Sequence, residues 1–204
     1  WRNGPVVNNA LSGIDMALWD LKGREAGMPL YQLFGGACRD GATVYWHANG
    51  ETLEALEASV QAHLEAGVSH VRVQFSGYGG AKEADWAGSR PPGIYYDPAA
   101  YRRSALKALG HIRDRFGEAV ELLHDVLERL HPAEAVAFAR EVEPLKLFFL
   151  EDPLPPEQLD WMGRLRHACA TPIAIGELFT HPAEWTTLVA RREVDFLRMH
   201  LSAM

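Results

Sequence analysis

The spacing of hydrophobic residues along the chain changes near residue 43. Before this point, residues 5–26 place apolar side chains three and four positions apart, which predicts one amphipathic helix. Gly27 and Pro29 follow as helix stop signals, and residues 30–41 contain a compact apolar turn. After residue 43, short apolar runs alternate with helical stretches, so a second kind of unit begins there.

Six short apolar runs predict β-strands at residues 44–47, 68–74, 120–126, 147–151, 173–177 and 194–200. Helical patterns lie between them at residues 51–66, 98–116, 132–143, 156–169 and 181–192. Strands that are apolar on both faces and alternate with helices indicate a parallel α/β sheet with right-handed crossovers. One long connection, residues 75–97, is rich in Gly and Pro.

Six such units indicate a partial (β/α) barrel, because a closed barrel has eight units and typically about 250 residues. The alternative is a complete, open, doubly wound sheet, but that fold usually carries a Gly-rich loop after its first strand. Residues 47–50 read His-Ala-Asn-Gly and do not fit such a loop. The chain starts at Trp1 and stops soon after its last strand, so we expect a piece of a longer protein.

Composition excludes several functional classes. The chain has 20 Lys and Arg against 27 Asp and Glu, a formal charge of −7, which disfavours a nucleic-acid partner. No apolar run is long enough for a membrane span, so no membrane partner is expected. Two cysteines do not make a disulfide framework, and a reducing, cytoplasmic location is therefore the expectation.

Three acidic residues occupy equivalent positions at the ends of consecutive predicted strands. Asp125, Glu151 and Glu177 follow one another at intervals of 26 residues. In a barrel the carboxyl ends of the strands gather at one face, where the three side chains would repel each other without a cation. Oxygen ligands of this kind favour Mg²⁺. The alternative for each acid is a solvated side chain or a helix cap, as at Asp152 before Pro153.

Several segments together resemble one family. They are NNALSGIDMALWDLKGREAGMPLYQLFGG, LHDV, FFLEDPLPPE, PIAIGELF and VDFLRMHLS. They resemble the mandelate racemase-like branch of the enolase superfamily, and are most similar to its mannonate dehydratase group, also called starvation-sensing proteins. The resemblance implies that residues 1–41 are the C-terminal helical part of a capping domain. It also implies that residues 42–204 are an incomplete barrel lacking its last two units.

The same resemblance implies a function. It implies a Mg²⁺-dependent dehydratase of mannonate- or gluconate-like sugar acids, acting by α-proton abstraction and enediolate stabilisation, with a homo-oligomeric full-length form. Arg72 replaces the lysine base of other branches and, with a loop tyrosine, is implied to form the base. Tyr78 is the candidate, with Tyr95 and Tyr96 as alternatives. The alternative role for Arg72 is pairing with an acid.

Three further residues resemble groups that contact the substrate. His47 ends the first predicted strand, and Arg198 and His200 share one face of the sixth if that strand is regular. The resemblance implies that all three lie near the substrate. The alternatives are a satisfied, half-buried histidine at position 47 and an arginine that pairs only with the carboxylate cluster.

One position departs from the family pattern. The mannonate dehydratase group carries a histidine two residues after the first metal ligand, implied to be the general acid, and this chain has Leu127 there. The leucine side chain can neither transfer a proton nor form a hydrogen bond. Residues 125 and 127 share one face of a regular strand, so we expect the side chain at position 127 to point toward the metal site and that of His124 to point away from it. Two other hypotheses therefore stay open: a weak or inactive paralogue that binds Mg²⁺ and a sugar acid, and a non-functional truncated product.

Overall fold

The computed structural model describes residues 3–75 and 97–201. Its sheet has six parallel strands, which lie side by side in chain order. They are β1 (Trp46–Gly50), β2 (His70–Phe75), β3 (Glu121–Asp125), β4 (Phe149–Glu151), β5 (Ile173–Ile175) and β6 (Phe196–Leu197). A doubly wound sheet reverses its strand order at a switch point, and this sheet does not. The prediction of a partial barrel is therefore confirmed.

Helices lie between the strands and before β1. They are α1 (Pro5–Ala26), α2 (Leu30–Leu33), α3 (Leu53–Glu65), α4 (Pro98–Phe116), α5 (Pro132–Glu141), α6 (Met162–Ala168) and α7 (Pro182–Arg191). Short 3₁₀ segments occupy Gly117–Ala119, Glu143–Leu145 and Pro156–Trp161. Within residues 3–75 and 97–201, no helix combines the length and the apolar character needed to cross a bilayer.

Local stop and start signals account for the helix ends. Gly27 adopts the left-handed conformation (φ 63°) that ends α1, and Asp97 accepts a hydrogen bond from the Ala100 backbone N–H at the start of α4. Both helices have the predicted bounds. The single helix predicted over residues 156–169 is wrong in its first part. Gln158 (φ −115°) breaks helical geometry, so the α-helix begins only at Met162.

Apolar side chains cover both faces of the sheet. The main core lies between the sheet and the helices and includes Leu122, Leu150 and Phe138. A second, smaller cluster on the inner face contains Leu123, Phe149 and Ala174. The sheet curls around this cluster. Arg198, just after β6, thereby reaches the hydroxyl group of Tyr45, just before β1.

Helix α1 exposes an apolar stripe. Leu11, Ile14, Leu18 and Leu21 are each 60–62% exposed although they follow helical spacing. Helix α2 covers only one end of α1, where the rings of Trp19 and Phe34 lie 4.6 Å apart. An apolar stripe of this size on a helix favours association with another surface.

We predict that this stripe drives association of the 204-residue chain. Replacing Leu11 and Leu18 with Glu should lower the mean mass in sedimentation velocity toward that of a monomer. Placing Glu at the exposed positions Ala62 and Thr186 adds the same charge on α3 and α7, and should leave the mass distribution unchanged. Equal effects of the two pairs would show that charge, and not the stripe, controls association.

Candidate metal centre

The three predicted carboxylates meet at the carboxyl end of the sheet. Asp125 ends β3 and lies in register with Glu151, which ends β4, and Glu177 follows β5 by two residues. One carboxylate oxygen from each lies within 4.8 Å of the others. Asp125 and Glu151 are fully buried, and Glu177 is partly exposed. This geometry arises because parallel strands end at the same edge of the sheet.

Two arginines approach this carboxylate cluster from opposite sides. Arg72, on β2, places its Nη1 2.8 Å from Asp125 Oδ2 and 3.6 Å from Glu151 Oε2. Arg198, just after β6, places its Nε 2.6 Å from Glu151 Oε1 and its Nη1 2.8 Å from Glu177 Oε2. Three carboxylates thus face two guanidinium groups, and one negative charge is left for a further cation.

Burial makes the ionised form of the cluster costly. Burial, followed by the charge of Glu151, raises the pKa of Asp125 to about 6. Burial also raises the pKa of Glu151, although Arg198 and Arg72 oppose the rise. Both groups would keep their charge more readily beside a cation.

The donor set fits a hard divalent ion. All three side chains offer oxygen, none offers sulfur or imidazole nitrogen, and two of them are withdrawn from water. Mg²⁺ is bound through a few carboxylates and keeps several waters, and the partly exposed Glu177 leaves one side of the cluster accessible to water. The residues present therefore fit this ion.

Leu127 lies beside the cluster, but not for the reason that the sequence suggested. Strand β3 ends at Asp125, so the alternation of a regular strand does not extend to position 127 and that argument is wrong. Leu127 instead adopts φ 53° in a turn, where its backbone N–H donates to Asp125 Oδ1 at 2.8 Å. It lines a cavity of about 160 Å³ together with Glu128, Asp152, Glu177 and Leu178.

Asp152 ties two strand ends together and does not cap a helix. Its Oδ1 accepts a hydrogen bond from the Gly176 backbone N–H at 2.8 Å, and its Oδ2 is buried without a partner among the described residues. Burial raises the pKa of Asp152 to about 8, and the charges of Asp125 and Glu151 add to the rise. The side chain is therefore mostly protonated at neutral pH.

The raised pKa of Asp152 predicts how the stability of the fold depends on pH. An acid that holds its proton more tightly when folded stabilises the fold at low pH, and this stability is lost as the pH rises toward about 8. In the presence of a chelator, Asp152→Asn should therefore lose less stability than the parent between pH 5 and pH 8.5. Over this pH range, the Tm of the parent, measured by calorimetry, should fall by about 3 °C or more beyond the fall in the Tm of Asp152→Asn.

The control for that prediction is Asp114→Asn, which changes an exposed carboxylate on α4. It should keep the pH dependence of the parent. Asparagine tolerates the positive φ of position 152, so strain does not confound the comparison. Parallel pH profiles for the parent and Asp152→Asn would contradict the assignment.

The histidine before Asp125 points away from the cluster, as expected from strand alternation. His124 is buried, with its Nδ1 2.9 Å from the Val73 carbonyl oxygen and its Nε2 2.8 Å from the Tyr101 hydroxyl. Since a carbonyl only accepts, Nδ1 carries the proton. Burial lowers the pKa of His124 to about 4. His131 is the N-cap residue of α5, and its backbone N–H donates to the Glu134 side chain.

The predicted substrate-contacting residues lie around the carboxylate cluster, but His47 is the second residue of β1 and does not end that strand as predicted. His47 places its Nδ1 3.4 Å from Arg72 Nη2, and burial together with the charge of Arg72 lowers its pKa. His200 is exposed and shares a cavity of about 350 Å³ with Glu177. Strand β6 ends at Leu197, so Arg198 and His200 lie beyond it and not on it as predicted. Tyr78, Tyr95 and Tyr96 lie outside the described residues.

Tyr45 is a member of the site that the sequence reading missed. Its hydroxyl lies 3.2 Å from Glu151 Oε1, and Arg198 Nε donates to it at 3.4 Å. Tyr45 precedes His47 by two residues, and that spacing is the signal that would have found it. Glu128 was also missed, because it lies in the turn after β3. Burial raises its pKa to about 7.

Comparison with protein families agrees with this architecture. Residues 55–204 match the enolase C-terminal domain-like family, and residues 2–35 match the N-terminal domain of mandelate racemase and muconate lactonizing enzyme. The first match spans more than half of the chain. The chain therefore belongs to the enolase C-terminal domain-like family.

Individual relatives carry a dehydratase family name. A D-galactonate dehydratase family member of Enterococcus gallinarum is 50% identical over 203 residues, which are 99% of this chain and 50% of that protein. The family member RspA of Pantoea ananatis is 45% identical over 222 aligned residues, covering 100% of this chain and 53% of that protein. The chain thus spans about half the length of the curated relatives it matches.

A solved structure has the same fold. The crystal structure of an enolase from Pantoea ananatis with bound D-gluconate and Mg superposes with a TM-score of 0.90 at 44% identity. The alignment covers 100% of this chain and 54% of that one. The mannonate dehydratase group does not appear among these relatives by name.

Proposed function

We propose that this chain is part of a Mg²⁺-dependent sugar-acid dehydratase of the enolase superfamily. The observation that carries the proposal is the cluster of Asp125, Glu151 and Glu177, whose oxygens lie within 4.8 Å of one another. The D-galactonate dehydratase family name of the relatives and the gluconate- and Mg-bound structure support it. The three carboxylates would hold the ion, which when bound polarises the substrate carboxylate and acidifies its α-hydrogen.

The remaining site residues have separate proposed roles. Arg72 lies 2.8 Å from Asp125, and we assign it, with Tyr78, to the base that removes the α-proton. Its guanidinium charge would favour the phenolate form of a neighbouring tyrosine. His47, beside Arg72, and His200, in the cavity next to Glu177, are assigned to binding the sugar hydroxyl groups.

The proposal extends to the whole protein. We assign residues 1–41 to the capping domain and residues 42–204 to the barrel. We also assign the chain to the mannonate dehydratase group, with a cytoplasmic location and a homo-oligomeric full-length form. The exposed stripe on α1 supports a protein that buries this helix against a further surface.

A second candidate is a weak or inactive paralogue that binds Mg²⁺ and a sugar acid without dehydrating it. Leu127 favours this candidate, because its side chain lines the cavity next to Glu177 and cannot donate a proton. Two other side chains of that cavity carry protons near neutral pH, because burial raises the pKa of Asp152 to about 8 and that of Glu128 to about 7. Asp152 is held by its hydrogen bond from the Gly176 backbone N–H, and Glu128 belongs to the turn that Leu127 begins.

Two measurements on D-gluconate, D-galactonate and D-mannonate separate these candidates. Mg²⁺-dependent loss of the α-proton signal in deuterated water, followed by NMR, reports proton abstraction alone. Formation of the 2-keto-3-deoxy acid reports complete dehydration. If both proton exchange and keto-acid formation occur and EDTA removes both, the result supports the dehydratase proposal. Exchange without the keto acid supports the weak paralogue, and the absence of both with every substrate contradicts the proposed activity.

A further inference from the structure

Arg198 bridges two of the three carboxylates. Its Nε lies 2.6 Å from Glu151 Oε1 and its Nη1 lies 2.8 Å from Glu177 Oε2. These two acids come from the ends of β4 and β5, whereas Arg198 comes from the end of β6. One planar guanidinium group therefore forms ion pairs with carboxylates that belong to two different strands.

The two arginines of the site differ in their access to water. The Arg72 side chain is 3% exposed, and its Nη1 is closest to Asp125. The Arg198 side chain is 25% exposed, and its additional contact to the Tyr45 hydroxyl is long, at 3.4 Å. Arg198 can therefore exchange its carboxylate partners for water at much lower cost than Arg72.

A divalent ion and Arg198 need the same carboxylates. Mg²⁺ binds oxygens at about 2.0–2.1 Å in strict octahedral geometry, whereas Arg198 already engages one oxygen of Glu151 and one of Glu177. A guanidinium group this close to the cluster also repels a divalent ion, and the repulsion is strong where water is excluded.

We propose that Arg198 is an internal competitor of the metal, which neutralises Glu151 and Glu177 when the ion is absent and lowers the affinity for the ion. This inference rests on the proposed metal site. Arg198 is thus a positioning residue for the metal ligands, because its charge holds the carboxylates together when no ion is bound. Binding of the ion requires that the guanidinium group release at least one carboxylate.

The competition predicts opposite effects of Arg198→Gln on stability and on metal affinity. In EDTA the variant should have a lower Tm than the parent, because Glu177 loses its arginine partner and Glu151 keeps, of its two ion pairs, only the longer one to Arg72. Mg²⁺ titrated by calorimetry should bind at least about tenfold more tightly, since a repelling charge has been removed. A merely structural role would change the affinity in the other direction, because a distorted site binds the ion more weakly.

Arg166→Gln is the matched control. Arg166 Nε forms an ion pair with Asp195 Oδ2 at 2.9 Å and has a comparable side-chain exposure of 32%, but it lies near the opposite end of the strands. This variant should bind Mg²⁺ as the parent does. Arg198→Lys keeps the charge but lacks the planar guanidinium group that reaches both carboxylates, and should bind Mg²⁺ about threefold more tightly than the parent.

The outcomes separate this inference from the metal site on which it rests. Tighter binding by Arg198→Gln supports the competition, and equal or weaker binding by a folded Arg198→Gln overturns it while leaving the metal site intact. If Arg198→Gln does not fold, Arg198→Lys decides in the same way. If neither the parent nor any variant binds Mg²⁺, the metal site is wrong and the competition is overturned with it.

Discussion

Glu151→Gln is expected to abolish measurable Mg²⁺ binding by this chain. Glu151 is the central member of the cluster, fully buried and in contact with Arg72, Arg198 and Tyr45. The amide keeps the shape of the side chain but removes the negative charge. Two guanidinium groups would then face two carboxylates, and no charge would be left to attract a divalent ion.

The measurement is calorimetric titration of Mg²⁺ into the parent and the variant, with an expected loss in affinity of about 10²-fold or more. Glu121→Gln is the control, because Glu121 is the exposed first residue of β3 and lies at the opposite end of that strand from Asp125. It should bind Mg²⁺ as the parent does. Unchanged affinity in a folded Glu151→Gln would exclude this residue as a ligand.

Leu127→His is expected to raise the dehydration of a sugar acid by about 10²–10⁴-fold, the usual contribution of a general acid. Leu127 lines the cavity next to Glu177, so an imidazole there would lie beside the proposed metal ion. The substitution also suits the backbone. Position 127 has φ 53°, a conformation that histidine adopts more readily than leucine.

Leu127→Asn is the matched control for this gain. Asparagine also tolerates positive φ and forms hydrogen bonds, but it does not transfer protons near neutral pH. It should leave the rate of keto-acid formation at the level of the parent. Efficient dehydration by the parent would show that another acid acts in this site. No gain in Leu127→His, with α-proton exchange intact, would contradict the role assigned to position 127.

The fold and the carboxylate cluster were predictable because both follow from regular spacing. Asp125, Glu151 and Glu177 recur with the strands, and the carboxyl ends of parallel strands meet at one face. The bounds of α1 and α4 were predictable from local signals such as Gly27 and the N-cap Asp97. The helix bounds depend on residues near one another in the chain, and the cluster depends on a regular repeat of strands.

Other features depend on how the sheet curls and were not predictable. Tyr45 and Arg198 are 153 residues apart in the chain, and only the curl of the sheet brings them to Glu151. The turn at Leu127 replaces strand geometry with positive φ, which apolar patterning does not signal. The proposed base pairs Arg72 with Tyr78, which lies outside the described residues, and this assignment stays a prediction.

Crystals of the chain soaked with Mn²⁺ test the central claim most directly, because Mn²⁺ prefers the same oxygen ligands as Mg²⁺ and scatters anomalously. The account predicts one anomalous peak within about 2.5 Å of an oxygen of each of Asp125, Glu151 and Glu177. It also predicts that excess Mg²⁺ removes the peak. A well-ordered cluster without a peak, or a peak held by other side chains, would contradict the account.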